Sequence, residues 1–236
     1  MKFIPSLLAP LAMAASLAHA ATGLQPYTAH YEVIRNGDKL GQAIVTLKQT
    51  PGGWDYESTT HGTSGMARLA GADIEEHSVV SAANGKLQTS QYHYRLSTLV
   101  KSTQRDIVAD PATNKLVIRD KKHTLEFPIT PGVLDQHAVT LAIAQDLSSG
   151  RKGTLTYPVA TRDAIASQRY QVGKEESVKV PAGSIRTVAV ARLRETANGR
   201  TTVSWFGLDN GFVPVRVVQT EPSGEVLEMR LVSLGK

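Results

Sequence analysis

Apolar and polar residues alternate along most of this chain. Tyr27, Ala29, Tyr31 and Val33 take every second position against Thr28, His30 and Glu32, the two-residue period of a half-buried β-strand. Turn pairs and triplets break the pattern repeatedly: Asn36-Gly37, Pro51-Gly52-Gly53, Asn84-Gly85, Pro111 to Asn114, Pro181-Ala182-Gly183, Asn198-Gly199, Asn210-Gly211 and Pro222-Ser223-Gly224. The segments between them are rich in Thr, Val, Ile and Tyr and about 8–12 residues long, the spacing of an antiparallel meander. Strands are expected at 27–36, 40–50, 54–61, 73–83, 87–97, 100–110, 115–120 and 123–127. Others are expected at 154–161, 164–172, 176–180, 184–196, 201–208, 212–221 and 225–234. Thr63 to Ala72 reads as a loop or one helical turn, and no sequence repeat of fixed period is present.

One segment changes period. Val139, Ala142, Ile143 and Leu147 form a stripe at helical spacing, Asp135 stands where an N-cap would, and Ser149-Gly150 ends the run. The fold expected is mainly β: an antiparallel meander forming a barrel or half-barrel, with one amphipathic helix over about 135–148 packed on or across it. Residues 21–236 read as a single β-rich domain, with room for two subdomains meeting near the helix.

The C-terminal meander allows a register to be written down. A three-residue loop at Asp209-Asn210-Gly211, a type I turn with left-handed glycine, pairs Leu208 with Phe212, Trp205 with Val215 and Val203 with Val217. The same loop at Pro222-Ser223-Gly224 pairs Val217 with Met229 and Val215 with Leu231. Val203, Trp205, Val213, Val215, Val217, Leu227, Met229 and Leu231 then share an apolar face, and a slip of one residue would set Trp205 opposite Arg216. Trp205, Val215 and Leu231 are accordingly the candidate wall of a ligand cavity, or fold-holding core. On the other face Arg216 and Arg230 lie opposite each other, either bridged by Glu228 or open to an anion or partner.

Composition narrows the class. The 236 residues are 41% hydrophobic and 20% charged, with no cysteine, so disulfides, thiolate chemistry and cysteine-bound zinc or iron–sulfur centres are excluded. Lys2, an apolar alanine-rich run to Leu17 and the small-x-small triplet Ala18-His19-Ala20 read as a signal peptide cleaved after Ala20. The run is too short and too broken by Pro5 and Pro10 for a membrane span, and no later segment is apolar enough. Export to the periplasm is the localisation expected. A net charge of +5 is spread out, with only Lys121-Lys122 and Arg151-Lys152 adjacent, unlike the clustered stripe of a nucleic-acid binder.

Several residues together resemble the domain of unknown function 3108 family of bacterial exported proteins. They are Tyr31 with Leu40-Gly41, the aspartate-led segment at Asp135, the Val180-Pro181-Ala182-Gly183 turn, and the block Trp205-Phe206, Asp209, Val213-Pro214-Val215-Arg216. The resemblance implies export and a β-rich fold, and brings no catalytic residues with it. The C-terminal block also resembles, more loosely, lipoprotein-carrier-like half-barrels.

Motifs for chemistry are sparse. Gly62-Thr63-Ser64-Gly65 has its second glycine one place early for a nucleophile elbow and lacks the strand–turn–helix setting. His77 and His93 become neighbours if the Asn84-Gly85 hairpin is tight, with Glu75 and Glu76 close by, yet no helical or His-x-His ligand spacing supports a metal site. Adjacent Glu75 and Glu76 point to opposite faces of a strand and make no acid–base pair. No glycine-rich loop leads from a strand into a helix, and no cofactor is implied. Three functions are open: an envelope protein whose barrel holds a lipid or acyl ligand or docks an envelope partner, a structural or interaction protein with a filled core, and a hydrolase of envelope glycans or esters.

Overall fold

The structure is a computed structural model. It describes residues 23–235 apart from 66–70, 84, 195, 197 and 198. The proposed signal peptide and half of the Thr63–Ala72 loop lie outside the described residues.

Fifteen strands form one sheet in which every strand pairs with its sequence neighbours except β8 with β9, and β1 pairs with β15. The first half runs β1 (Tyr27–Arg35), β2 (Asp38–Thr50), β3 (Gly53–Gly62), β4 (Asp73–Ala83), β5 (Lys86–Ser97), β6 (Ser102–Asp110), β7 (Lys115–Asp120) and β8 (Thr124–Pro128). After β9 (Leu134–Asp135) and α1 (Val139–Ser148) come β10 (Thr154–Ala160), β11 (Ile165–Val180), β12 (Gly183–Leu193), β13 (Thr201–Gly207), β14 (Pro214–Thr220) and β15 (Val226–Gly235). The order runs from β8 at one edge to β9 at the other, so the hydrogen-bonded ladder does not close. It is a half-barrel whose free edge leans back on β5, where the Thr89 amide donates to the Val133 carbonyl at 2.9 Å.

Two differences from the expected strands have local causes. The runs 164–172 and 176–180 are one strand, β11, continuous through an irregularity between Val172 and Glu175. The strand expected from Val100 begins at Ser102, because a hydrogen bond from the Thr98 amide to the Lys101 carbonyl at 2.8 Å closes a tight turn over Leu99 and Val100.

The core follows the alternation. Ala29 and Tyr31 of β1, Ala43, Val45 and Leu47 of β2, and Trp54 and Tyr56 of β3 all point to the concave side and are buried. Tyr31 stands opposite Ala43, and Val33 opposite Gly41, so large side chains meet small ones across the ladder. A Cβ on Gly41 would lie 2.2 Å from the His61 carbonyl oxygen, so β3 can approach only a glycine there. A smaller cluster of Tyr92, Ile107, Leu116, Ile118, Val133 and Ala160 lies under β5 to β8.

Helix α1 lies across the concave face. Besides the expected stripe, Leu141 and Ala144 are buried, which places apolar contacts on both flanks of the helix. Its position is fixed at both ends. At the C-terminal half the Gln145 side chain donates to the Gly85 carbonyl at 3.2 Å, and Asp146 accepts from the Tyr157 hydroxyl at 2.6 Å. The N-terminus differs from the sequence reading: α1 begins at Val139 with Ala138 as its cap residue, and Asp135 is a wholly buried residue of β9. Asp135 still accepts the amides of His137 and Ala138, each at 2.8 Å. It serves the turn that leads into the helix and not the helical N-cap position itself.

Candidate functional site: a graded cavity under the helix

Antiparallel pairing puts the β1–β2, β3–β4, β5–β6, β12–β13 and β14–β15 connections at one end of the half-barrel, and the β2–β3 and β4–β5 turns at the other. At the latter end Leu47, Trp54, Val80 and Leu87 pack with the helix, leaving a smaller cavity of about 250 Å³ between the β4–β5 turn, the C-terminal half of α1 and β10. Toward the former end the strands continue past the N-terminus of α1, and a cavity of about 400 Å³ remains.

Its lining changes character along several of the strands that form it. On β13 the order from the packed core outward is Phe206, Ser204, Thr202, followed by Arg200 in the loop. On β14 it is Pro214, Val217, Gln219, and on β3 it is Tyr56, Ser58, Thr60. Helix residues Val139 and Ile143 cover the apolar part, and Arg192 of β12 joins Arg200 on the polar side. The cavity therefore has an apolar floor and a polar, arginine-bearing rim. Tyr31 crosses its floor and donates to the Pro214 carbonyl at 2.8 Å, tying β1 to β14.

Beside the cavity a buried polar cluster anchors the start of the helix. Asp135, Ser78 and Thr89 are each at most 1% exposed. The Asp135 carboxylate accepts from Ser78 Oγ at 3.0 Å and from Thr89 Oγ1 at 2.7 Å, besides the two amides above. Ser78 Oγ also lies 3.0 Å from His137 Nδ1. Since the single hydroxyl proton goes to the carboxylate, Nδ1–H of His137 is the donor to Ser78. The His137 ring stacks on Tyr56 with centroids 4.0 Å apart. Burial depresses the imidazole, with a pKa of about 4, against an opposing pull from Asp135, so His137 is neutral near pH 7. Burial pushes the Asp135 carboxyl up, and the His137 charge interaction and its hydrogen-bond donors oppose this. Burial likewise raises Tyr56 to about 12.

Ser78, His137 and Asp135 are within hydrogen-bond reach of one another, but their order is not that of a nucleophilic triad. There the imidazole stands between carboxylate and hydroxyl and takes the hydroxyl proton. Here the hydroxyl stands between the other two, donates to the carboxylate and is shut off from solvent. The cluster is a strut joining β4, β5 and the turn before α1. The aspartate preceding the helix is its visible trace in the sequence; Ser78 and Thr89 carry none, because a lone hydroxyl at an inward strand position resembles any other break in the alternation.

The residues singled out from the sequence are separated by one bulge. Phe206 pairs with Pro214 as the expected register requires, but Val215 is then an extra residue, and Trp205 pairs with Arg216, Ser204 with Val217 and Val203 with Val218. The cause lies in the connection. It spans Leu208 to Val213, with both Gly211 and Phe212 at positive φ and the Gly207 amide bonded to the Val213 carbonyl, and is longer than a three-residue hairpin loop. The bulge turns Trp205 away from the cavity. Its indole N–H donates to Glu176 at 2.7 Å and the Arg216 guanidinium sits 5.0 Å over its ring. Val215 and Leu231 are buried core residues, outside the cavity lining. Phe206, given to the outer face by the sequence register, is 1% exposed and lines the cavity floor. The pairing of Val217 with Met229 is as expected.

Arg216 and Arg230 face each other across β14 and β15. Glu228 bridges them, accepting from Arg216 Nε at 2.6 Å and from Arg230 Nε at 2.7 Å. Burial alone would raise the Glu228 carboxyl, but the two guanidiniums outweigh it and hold it below the usual carboxylate range. His77 and His93 are directly paired, each with its own carboxylate: Asp55 at 3.3 Å and Asp106 at 2.7 Å. Glu75 is held by Arg95 and Glu76 accepts from Tyr92. Among the described residues no cluster of three or more His, Cys, Asp or Glu is arranged to hold a metal. No helix among them is long and apolar enough to cross a membrane.

Comparison with known proteins gives a family and a fold. The family model described as "Protein of unknown function (DUF3108)" matches residues 26–232. No curated protein matches the chain. Among solved structures, a β-barrel-like protein of the domain of unknown function DUF1849 from Brucella abortus is similar over 89% of this chain and 97% of its own, at 14% identity and a TM-score of 0.55. A candidate lipoprotein from Parabacteroides distasonis is similar over 89% and 95%, at 12% identity and a TM-score of 0.35. A candidate outer-membrane lipoprotein-sorting domain from Vibrio parahaemolyticus covers 89% and 84%, at 10% identity and a TM-score of 0.22.

Proposed function

The chain belongs to the DUF3108 family, and since that description assigns no activity we propose its function from the cavity: it is a non-catalytic binding protein of the cell envelope that holds an amphipathic, acyl-bearing ligand. The observation that carries this is the grading of the lining. Three strands each pass from aromatic or aliphatic to hydroxyl or amide side chains in the same direction, and Arg192 and Arg200 stand on the polar side. An apolar tail seated against Phe206, Val217 and Ile143 is removed from water, worth about 25 cal/mol per Å² buried. A polar or anionic head then meets Thr202, Gln219 and the arginines. The volume of about 400 Å³ is that of a small-ligand site, on the order of 300–1,000 Å³. The amino-terminal pattern, basic then apolar then Ala18-His19-Ala20, supports export to the periplasm.

The reading is tested by titrating the chain from Ala21 onward with a fluorescent long-chain fatty acid. Saturable binding at one site, abolished in Ser204→Trp and retained in Trp205→Ala, is the expected result. Equal binding by the wild type and Ser204→Trp refutes the assignment of the cavity.

A further inference from the structure

The β5–β6 hairpin projects two large apolar side chains into solvent. Leu99 is 78% exposed and Val100 is 95% exposed, whereas the other exposed large hydrophobics among the described residues, Ile44 and Val232, reach only 39% and 42%. Turn chemistry does not ask for them. The corners of a two-residue turn favour Gly, Asn and Asp, where positive φ or a side-chain bond to the backbone is needed. Neither Leu99 nor Val100 has a positive φ, and the turn is held by Thr98, whose hydroxyl and amide both donate to the Lys101 carbonyl. Two adjacent apolar residues at a tip lose nothing by exposure only if something other than water receives them.

The surroundings are basic. Lys101 follows the pair directly. Lys121, in the neighbouring β7–β8 turn, donates to the Ser102 carbonyl, and Lys122 is exposed beside it. Two acidic groups close by are engaged, Asp120 with Arg162 at 2.9 Å and His123 at 3.4 Å, and Asp73 with His61 at 2.7 Å. The β5–β6 connection also stands at the end of the half-barrel toward which the cavity turns polar.

We infer that this end of the molecule docks on an anionic lipid bilayer, with Leu99 and Val100 entering the acyl boundary, Lys101, Lys121 and Lys122 among the head groups, and the polar rim of the cavity toward the lipid surface. Apolar insertion combined with lysines at the head groups is the pairing by which peripheral proteins hold anionic membranes reversibly. Docking itself stands on the hairpin tip. The purpose of docking there, passage of an amphiphile between bilayer and cavity, rests on the function proposed above.

The test is sedimentation of the chain from Ala21 onward with vesicles of phosphatidylglycerol and phosphatidylethanolamine, and with vesicles of phosphatidylcholine alone. Binding to the anionic vesicles is expected, with loss in the neutral ones and at high salt. Leu99→Asp with Val100→Asp is expected to lower the partition coefficient about tenfold or more, and Lys101→Glu with Lys122→Glu by a similar factor. Both pairs lie outside the core, so their thermal melts are expected to match the wild type. Wild-type protein that ignores anionic vesicles, as it would if the tip engaged another protein, overturns the inference. So does a Leu99→Asp/Val100→Asp variant that binds as well as the wild type. Fatty-acid titration without vesicles separates the two ideas: probe binding without vesicle binding removes docking and leaves the cavity, and the reverse removes the cavity and leaves docking.

Discussion

Replacing Asp135 by alanine removes the single acceptor of four buried donors: the amides of His137 and Ala138 and the hydroxyls of Ser78 and Thr89. The hydroxyls can rotate, and Ser78 keeps His137 Nδ1 as a neighbour at 3.0 Å, so the lasting loss falls on the two amides. A buried donor without a partner costs about 1–3 kcal/mol. Removing a buried carboxylate also relieves its own desolvation, which returns part of that. The net expectation is about 3 kcal/mol for Asp135→Ala and about 2 kcal/mol for Asp135→Asn, which keeps one acceptor oxygen but turns an amide toward the hydroxyl donors. The assay is urea unfolding followed by fluorescence of the buried Trp54. A lowered midpoint at unchanged slope means lost stability alone. The strut also sets where the helix begins over the cavity, so fatty-acid affinity is expected to fall in Asp135→Ala even where the protein remains folded. A cost below about 1 kcal/mol together with unchanged affinity would refute the strut.

Other expectations follow from the same geometry. Phe206→Ala is expected to cost about 3 kcal/mol and Trp205→Ala only about 1 kcal/mol, because the first empties the cavity floor and the second removes a stacked cation and one surface hydrogen bond; denaturation of the two variants checks the order. Gly41→Ala is expected to destabilise strongly, since its Cβ meets backbone at 2.2 Å, and loss of amide-exchange protection in β2 and β3 reads it. His137 titrates at about 4 in the fold, against 6.5 for an unperturbed histidine. The unfolded chain therefore binds the extra proton in that window, and stability falls as pH drops. The loss from this group between pH 7 and pH 5 is about 2 kcal/mol, and His137→Gln is expected to flatten that part of the pH profile. Glu228 acts in a more acid window. Its depressed pKa stabilises the fold above the ordinary glutamate value of 4.5, and that contribution is lost as pH falls below it, so Glu228→Gln is expected to lose its effect on stability in acid.

Much of the fold was legible because its determinants are local. Alternation located the strands, and the period change at Val139 to Leu147 located the helix. The family followed from the block around Trp205 and Pro214. What failed was set by contacts the sequence does not print. The Val215 bulge depends on a loop in which Phe212 as well as Gly211 takes positive φ, and apolar continuity favoured the unbulged register. Trp205 and Phe206 exchange faces as a result: Trp205, expected in a cavity wall or the fold-holding core, packs against Arg216 and Glu176, and its neighbour lines the floor. Asp135 looked like a helix cap because its amide partners are local, yet Ser78 and Thr89, its other partners, come from strands 57 and 46 positions away. The cavity lining is drawn from both halves of the sheet, from Tyr31 on β1 to Met229 on β15, and from the helix. The stretch from Arg200 to Phe206 carries one strand of the grading, but nothing in it shows that β3 and β14 grade in the same direction beside it.

Native mass spectrometry of the protein, isolated without detergent from the cells that make it, tests the amphiphile cavity most directly. A one-to-one complex with an acyl-bearing molecule is expected, released on unfolding and absent from Ser204→Trp isolated in the same way. A single unliganded mass for the wild type, unchanged on addition of long-chain fatty acid, would contradict it.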